Sequence, residues 1–231
     1  DLEFEDAVKL YKEVVSIGAR AGADLVLIET MSDSYELKAA VLAAREAGFR
    51  PDTGERLPVF ATVIFDEKGK LLTGGNVEST VALLEGLRVD ALGINCGLGP
   101  VQMKGIQEEI LRVSSLPVLA NPNAGLPRSE NGKTVDDIDA EGFALVMEEI
   151  VTMGAVVVGG CCGTTPEHIR LMTRRCKDMP VVWPEKKHRT VVSSYAKAVT
   201  VGGKTIIIGE RINPTGKSKF KQALRDHNLE Y

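Results

Sequence analysis

The chain has 231 residues, of which 44% are hydrophobic and 26% are charged, and this ordinary balance excludes a disordered or collagen-like protein. Its 28 Lys and Arg residues are outnumbered by 32 Asp and Glu residues, and this charge balance argues against a surface for nucleic acid or anionic membrane. No apolar run approaches the roughly 20 residues of a membrane span, and the acidic, polar start is unlike a signal peptide.

Short apolar runs, separated by helical stretches, predict β-strands along the first 160 residues. The predicted strands are 25–30, 59–65, 91–96, 118–121 and 155–160. They are almost continuously apolar, which is typical of a parallel sheet that is covered on both faces. They begin about 27 to 37 residues apart, which is the length of one strand and one returning helix. The sequence therefore predicts repeated βα units.

Capping patterns support the helices between these strands. Asp33 and Glu36 resemble a capping pair at the start of a helix, and Gly48 lies where a helix commonly ends. Thr165 and Pro166 have the pattern of an N-cap followed by the first helical residue. These signals predict helices at the expected places in the βα repeat.

Five βα units with short links favour either a (β/α)8 TIM barrel or a doubly wound parallel sheet. No G-x-G-x-x-G motif follows the first strand, which weakens the dinucleotide-binding version of the open sheet. Reactive side chains follow several different strands, as in the active sites of barrels. We expect an α/β barrel of which about the last five βα units are present and the first three are missing, because a full barrel takes about 250 residues.

The pattern changes near residue 180, where prolines and a basic stretch interrupt the βα repeat. We predict the C-terminal part of a barrel over 1–189, an interdomain linker over 190–203 and the start of a second domain over 204–231. The apolar run 205–209 would be the first strand of a second barrel. That segment is too short to fold alone.

Three cysteines carry the clearest chemical signal. Cys96 follows the third predicted strand, and the adjacent Cys161 and Cys162 follow the fifth. Adjacent strand residues face opposite sides, so the pair can face one atom only if the strand breaks, which the glycines around it allow. Three thiolates with an open fourth position favour a catalytic zinc site, whereas Cys176 is interpreted as a packing residue. With no export signal we expect a cytoplasmic protein with reduced thiols.

Polar residues at other strand ends have more than one interpretation. Glu29 is predicted either to hold a substrate ammonium group or to serve as a cap or loop charge. Asn121 and Asn123 are predicted to bind substrate, to supply the fourth zinc ligand or simply to form a turn. Glu210 and Asn213 are predicted to bond a planar polar heterocycle, although Asn-Pro-Thr-Gly is also an ordinary turn sequence. None of the three histidines has the spacing of a metal ligand.

The motif GINCG followed by GGCCGTTPEHI resembles the zinc signature of the homocysteine S-methyltransferases, and residues 1–180 are similar to the later part of that barrel. Residues 192–217 resemble the junction into the pterin-binding barrel of the cobalamin-dependent methionine synthases. The resemblance implies zinc held by Cys96, Cys161 and Cys162, and methyl transfer to homocysteine that gives methionine. It also implies methylcobalamin on a separate cobalamin-carrying domain, and a methyltetrahydrofolate site that includes Glu210 and Asn213.

Two other functions stay open. One is a cobalamin-independent homocysteine S-methyltransferase, which the cysteine motif alone would admit and the pterin-junction motif disfavours. The other is a non-catalytic fragment that binds zinc or a partner chain without turnover.

Overall fold

The computed structural model describes residues 2–125, 127–130, 133–136, 138–209, 212–228 and 230. The chain divides into two compact units, Asp1–Thr200 and Val201–Tyr231. The first unit contains every candidate site residue except Glu210 and Asn213. Within the described residues, no helix has the length and apolar character needed to cross a membrane.

Helices and strands alternate through the first unit, as the sequence predicts. The helices are α1 (Phe4–Arg20), α2 (Ser34–Ala47), α3 (Val77–Gly86), α4 (Pro100–Val113), α5 (Ala140–Met153) and α6 (Pro166–Cys176). The strands are β1 (Val26–Met31), β2 (Val59–Val63), β3 (Ala91–Asn95), β4 (Val118–Asn121), β5 (Pro127–Glu130), β6 (Lys133–Asp136), β7 (Val157–Val158), β8 (Thr190–Ser193) and β9 (Ala198–Val201). The β5–β6 hairpin was not predicted from the sequence.

Five of these strands form one parallel sheet in the order β1-β2-β3-β4-β7. Every neighbouring pair is parallel, and each pair along the chain is joined through a helix, so the predicted βα repeat is confirmed. Asn95 at the end of β3 lies opposite Asn121 at the end of β4. The carboxyl ends of the central strands therefore reach the same edge of the sheet.

The prediction that both faces of the sheet are covered is correct for the central strands. β3 is buried along its whole length, and β2 and β4 are buried except at one residue each. The prediction is wrong for β1, where Leu27 and Glu29 on one face are exposed while Ile28 on the other is buried. It is also wrong for β7, where Val157 is exposed. Both are the outer strands of the sheet, where fewer elements are available to pack on the faces.

The sheet is open in the described residues, since no strand there pairs with the outer edge of β1 or of β7. The α/β class and the five parallel strands agree with the predicted part of a barrel. Closure into an eight-stranded barrel stays a prediction.

The predicted helix caps are confirmed. Asp33 is the N-cap of α2, and its Oδ1 accepts hydrogen bonds from the backbone N–H groups of Tyr35 at 2.7 Å and Glu36 at 3.0 Å. Thr165 is the N-cap of α6, and its Oγ1 lies 2.8 Å from His168 Nδ1. Local sequence therefore determines where these helices begin.

Regular structure occupies most of the segment that was predicted as a linker, because β8 and β9 form a two-stranded sheet. Arg189, just before β8, pairs with Glu78 of α3. The Tyr195 hydroxyl donates to Asp33 Oδ2 at 2.6 Å, and its ring stacks on Tyr35 with centroids 5.1 Å apart. The β8–β9 sheet is thus attached to α2 and α3.

The second unit contains one described helix, α7 (Ser218–Arg225). The predicted strand 205–209 is wrong, because the structure assigns no strand there. Ile207 is 96% exposed and Ile208 is 78% exposed. A single strand is unstable, because its backbone N–H and C=O groups have no partners. No strand in the described residues pairs with the segment 205–209.

Candidate metal centre

Cys96 is directed to the sheet edge by a turn at the end of β3. Its φ of +59° and the φ of +71° at Gly97 are left-handed values, which bend the chain sharply after Asn95. The Cys96 N–H donates to the carbonyl oxygen of Asn121 at 3.0 Å, so the ladder between β3 and β4 continues for one more residue.

Cys161 and Cys162 follow a strand that is shorter than predicted. β7 ends at Val158 rather than at residue 160, because the chain leaves the sheet at the glycines that follow. The Cys161 N–H donates to the carbonyl oxygen of Pro122 at 2.8 Å, and the Cys162 N–H donates to Asn123 Oδ1 at 3.1 Å. The loop after β4 therefore holds the backbone of both cysteines.

Glycine is required within this turn. A Cβ atom at Gly160 would lie 2.4 Å from Cγ2 of Thr164, so any other residue there would force the Thr164 side chain to move. Gly163 has a φ of +78°, which favours glycine over other residues. The predicted break of the strand at the cysteine pair is confirmed.

The three sulfur atoms lie close enough together to share one metal ion. Sγ of Cys96, Cys161 and Cys162 all lie within 4.8 Å of one another, and Cys96 Sγ is 3.6 Å from Cys162 Sγ. A tetrahedral zinc site with Zn–S bonds of about 2.3 Å separates its sulfurs by roughly 3.8 Å. The donor set and its spacing therefore fit zinc.

The neighbouring sulfurs oppose ionisation of the Cys162 thiol. The interaction with Cys96, reinforced by the charges of Cys161 and Cys96, raises the pKa of the Cys162 thiol to about 11. A bound cation reverses this effect, because it favours the thiolate form of each ligand. Cys176 lies at the end of α6, packs against the core, and has a pKa raised by burial, as expected for a packing residue.

A residue that the sequence analysis missed lies beneath the sulfurs. Asn95 is fully buried, and its Oδ1 accepts from the Thr30 N–H and from the Thr62 hydroxyl, both at 2.8 Å. Its Nδ2 donates to the Thr30 hydroxyl at 2.6 Å and lies 3.8 Å from Cys161 Sγ. The available signal was an amide within a predicted strand that is otherwise apolar and buried.

Glu29 lies in β1, directly before Thr30, and its side chain is exposed. In the described part of the chain its carboxylate has no ion-pair partner. Through Thr30 and Asn95, the structure links this strand segment to Cys161. The carboxylate itself is accessible to a ligand from solvent.

The two asparagines of the β4 loop differ in their surroundings. Asn123 Oδ1 is engaged by the Cys162 N–H, so this side chain supports the cysteine turn. Asn121 Oδ1 lies 2.9 Å from the position that a Cβ would take at Gly159, so the glycine makes room for the amide. Both residues belong to the segment that contacts the cysteine turn, and their predicted roles stay predictions.

The second unit contains two candidate site residues, Glu210 and Asn213, and the structure describes only the second. Glu210 lies outside the described residues. Asn213 Oδ1 accepts a hydrogen bond from the Thr215 N–H at 2.9 Å, which is the geometry of an Asx turn. Turn formation is the simpler of the two interpretations given for this motif.

Known proteins are similar to this chain in sequence. The chain is 37% identical over 215 residues to methionine synthase of Mycobacterium leprae and 35% identical over 209 residues to that of Mycobacterium tuberculosis. Each alignment covers 88% of this chain and 17% of the relative, so the chain spans about a sixth of the relatives' length.

Solved structures give the same relationship. The apo form of the homocysteine methyltransferase MmuM from Escherichia coli has a TM-score of 0.60 and 25% identity, covering 76% of this chain and 58% of that one. Its metallated form has a TM-score of 0.55 at 25% identity, covering 73% and 52%. The family model described as homocysteine S-methyltransferase matches residues 1–176. The chain therefore belongs to the homocysteine S-methyltransferase family.

Proposed function

We propose that the chain is part of a methyltransferase that transfers a methyl group to the thiol of homocysteine and gives methionine. The observation that carries the proposal is the group of three cysteine sulfurs within 4.8 Å of one another in a chain of this family. The names of the relatives, methionine synthase and homocysteine methyltransferase, agree with this reaction.

In this proposal Cys96, Cys161 and Cys162 would hold zinc, and the substrate sulfur would be the additional ligand. Zinc, when bound, lowers the pKa of a thiol so that it reacts as a thiolate near neutral pH. Cys162 is exposed at the sheet edge, so a substrate can approach from solvent. The protein residues hold the reacting sulfur in place, while the methyl donor supplies the electrophilic carbon.

Glu29, Asn121 and Asn123 are proposed to serve the amino-acid end of homocysteine or the fourth ligand position. Glu29 is the strongest of the three, because its exposed carboxylate is suited to an ammonium group. Asn121 ends β4 close to the cysteine turn. The Asn123 oxygen already accepts a hydrogen bond, so its amide nitrogen is the atom that would face substrate.

The methyl donor is proposed to be methylcobalamin, recharged from methyltetrahydrofolate, in a longer protein of which this chain is a part. The methionine synthases that it resembles are several times longer than the matched segment. In that protein a cobalamin-carrying domain would be the partner of this site, and Glu210 and Asn213 would contact the pterin. We also propose a cytoplasmic location, since all four cysteines are free thiols.

A donor assay tests the reaction. Zinc-loaded protein is incubated with homocysteine and either methylcobalamin or S-methylmethionine, and methionine is measured by mass spectrometry. Because the chain covers a sixth of its relatives, the assay is run with the chain alone and within the longer protein. Methionine from methylcobalamin supports the proposal, and loss of product in Cys162→Ser but not in Cys176→Ser ties it to the sulfur cluster.

Two results would favour the alternatives. Methionine formed with S-methylmethionine but not with methylcobalamin as the donor would indicate a cobalamin-independent homocysteine S-methyltransferase. Zinc binding without product from either donor, in the chain and in the longer protein, would indicate a non-catalytic zinc-binding fragment.

A further inference from the structure

The orientation of the buried Asn95 amide follows from its partners. The Thr30 N–H can only donate, so the Asn95 atom that faces it must be the oxygen. That oxygen also accepts from Thr62, which leaves the two Nδ2 hydrogens for the Thr30 hydroxyl and Cys161 Sγ. An amide has two donor hydrogens and two acceptor sites, so the sulfur completes its set of four hydrogen bonds.

Asn95 also holds an unusual segment of β1. Thr30 has a φ of +62°, which is rare for a β-branched residue. It lies where the register between β1 and β2 is interrupted, between Ile28 and Met31. Its N–H bonds to the Asn95 side chain instead of a neighbouring strand. Irregularities of this kind redirect side chains beside active sites, and Glu29 lies within this one.

We propose that Asn95 is a positioning residue, which orients the Cys161 sulfur for metal binding and fixes the strand segment that carries Glu29. The inference rests on the proposed function, because it concerns the same metal and substrate groups. Hydrogen-bond donation to a thiolate stabilises its charge and restricts its rotation. Partners that support metal ligands in this way typically change metal affinity by about 10- to 100-fold.

Asn95→Asp tests the donor directly. The carboxylate has nearly the shape of the amide and keeps an acceptor for Thr30 and Thr62, but it offers no hydrogen to Cys161. The probe is Co²⁺, titrated anaerobically into the full chain in competition with a chelator. We expect affinity to fall about 10- to 100-fold, with a shift of the sulfur-to-cobalt charge-transfer band.

A control variant separates this role from a loss of stability. Ser114 is the buried C-cap residue of α4 and precedes the amino end of β4, and among the described residues its hydroxyl bonds to the backbone of Leu116. We expect Ser114→Ala to lower the melting temperature while leaving Co²⁺ affinity and spectrum unchanged. Wild-type affinity and spectrum in folded Asn95→Asp would overturn the inference, as would an equal loss in Ser114→Ala.

A second pair of variants applies if Asn95→Asp does not fold. Thr30→Val removes the hydroxyl that accepts from Nδ2, and Thr30→Ser restores it. We expect the spectral shift in the valine variant and a wild-type spectrum in the serine variant; identical spectra in both would overturn the inference.

Cys162→Ser, measured in parallel, distinguishes the two proposals. If it abolishes Co²⁺ binding and Asn95→Asp changes nothing, only the role of Asn95 fails. If the wild-type chain binds no Co²⁺ through these sulfurs, the proposed metal centre and the inference both fail.

Discussion

Three cysteine side chains from two loops meet at one edge of the sheet, and each supplies one sulfur. We expect Cys96→Ser, Cys161→Ser and Cys162→Ser each to remove most bound zinc, because two thiolates and a hydroxyl bind the metal more weakly than three thiolates. Metal analysis after dialysis measures the effect. Cys176→Ser is the matched control and should retain about one zinc per chain. Equal zinc content in all four variants would contradict the assignment.

The Glu29 carboxylate is exposed in β1. Glu29→Gln keeps the shape of the side chain and removes its charge. A hydrogen bond to a charged group contributes about 1.5–3 kcal/mol, so homocysteine affinity should fall roughly ten- to a hundredfold. Calorimetric titration of the zinc-loaded longer protein measures this. Zinc content should not change. Unaltered homocysteine affinity would contradict the prediction and favour the interpretation of Glu29 as a cap or loop charge.

The sequence allowed the three sulfurs to be predicted as a cluster, because glycines around an adjacent pair indicate a broken strand. It did not reveal Asn95, because the role of that amide depends on Thr30 and Thr62, which come from two other strands. Long-range partners of a buried polar group have no signature in local sequence. The roles of Glu29, Asn121 and Asn123 remain predictions.

The N-cap of α2 is a titratable carboxyl group, so the stability that it contributes depends on pH. Burial opposes the charged form of Asp33, but hydrogen bonds from the Tyr195 hydroxyl and from the N–H groups of Glu36 and Tyr35 outweigh it and lower the pKa of the carboxyl. Such a group stabilises the fold above its unfolded pKa, near 3.9, and this stabilisation is lost as pH falls through the lower folded value.

We therefore expect Asp33→Ala to lower the free energy of unfolding by about 1 kcal/mol at pH 7. The gap from wild type should shrink as pH falls from about 4, the unfolded pKa of an aspartate, through the lower pKa of Asp33 in the folded protein. Urea unfolding across this pH range measures both. Asp33→Asn, which keeps a cap acceptor but cannot ionise, is the control. A gap that is constant with pH would show that the charge makes no contribution.

Helices and central strands could be predicted because their signals are local: caps, apolar runs and regular spacing. The β5–β6 hairpin was missed because its strands are polar, although the Asn131-Gly132 pair in the sequence is a known hairpin signal. The run 205–209 was predicted as a strand on its apolar residues alone. A strand needs a partner, and composition does not say whether one is present.

Apolar surface of the first unit remains exposed to solvent. Leu10, Val14 and Ile17 form an exposed stripe along α1, and Leu27 is exposed on the edge strand β1. Exposed apolar stripes and open sheet edges favour association. We expect the isolated chain to self-associate with increasing concentration in sedimentation experiments.

The variant Val14→Lys should shift this equilibrium toward monomer, because it places a charge in the middle of the stripe. Glu13→Gln makes the same change of one charge unit at a neighbouring exposed position and should have little effect. A monomer at every concentration, in the wild-type chain and both variants, would contradict the prediction.

Two sulfurs of the cluster lie so close together that an oxidant and a metal ion would compete for them. Cys162 is exposed and its Sγ lies 3.6 Å from that of Cys96, while a disulfide bond requires about 2.05 Å. Peroxide would accept two electrons and two protons from the two thiols and be reduced to water, and the two sulfurs would form a disulfide bond. Cys161 would then be the one thiol of the cluster that could still bind the metal. Metal loading and oxidation are thus mutually exclusive states of the same two atoms, and the fraction of metal-competent protein would follow the thiol redox balance around it.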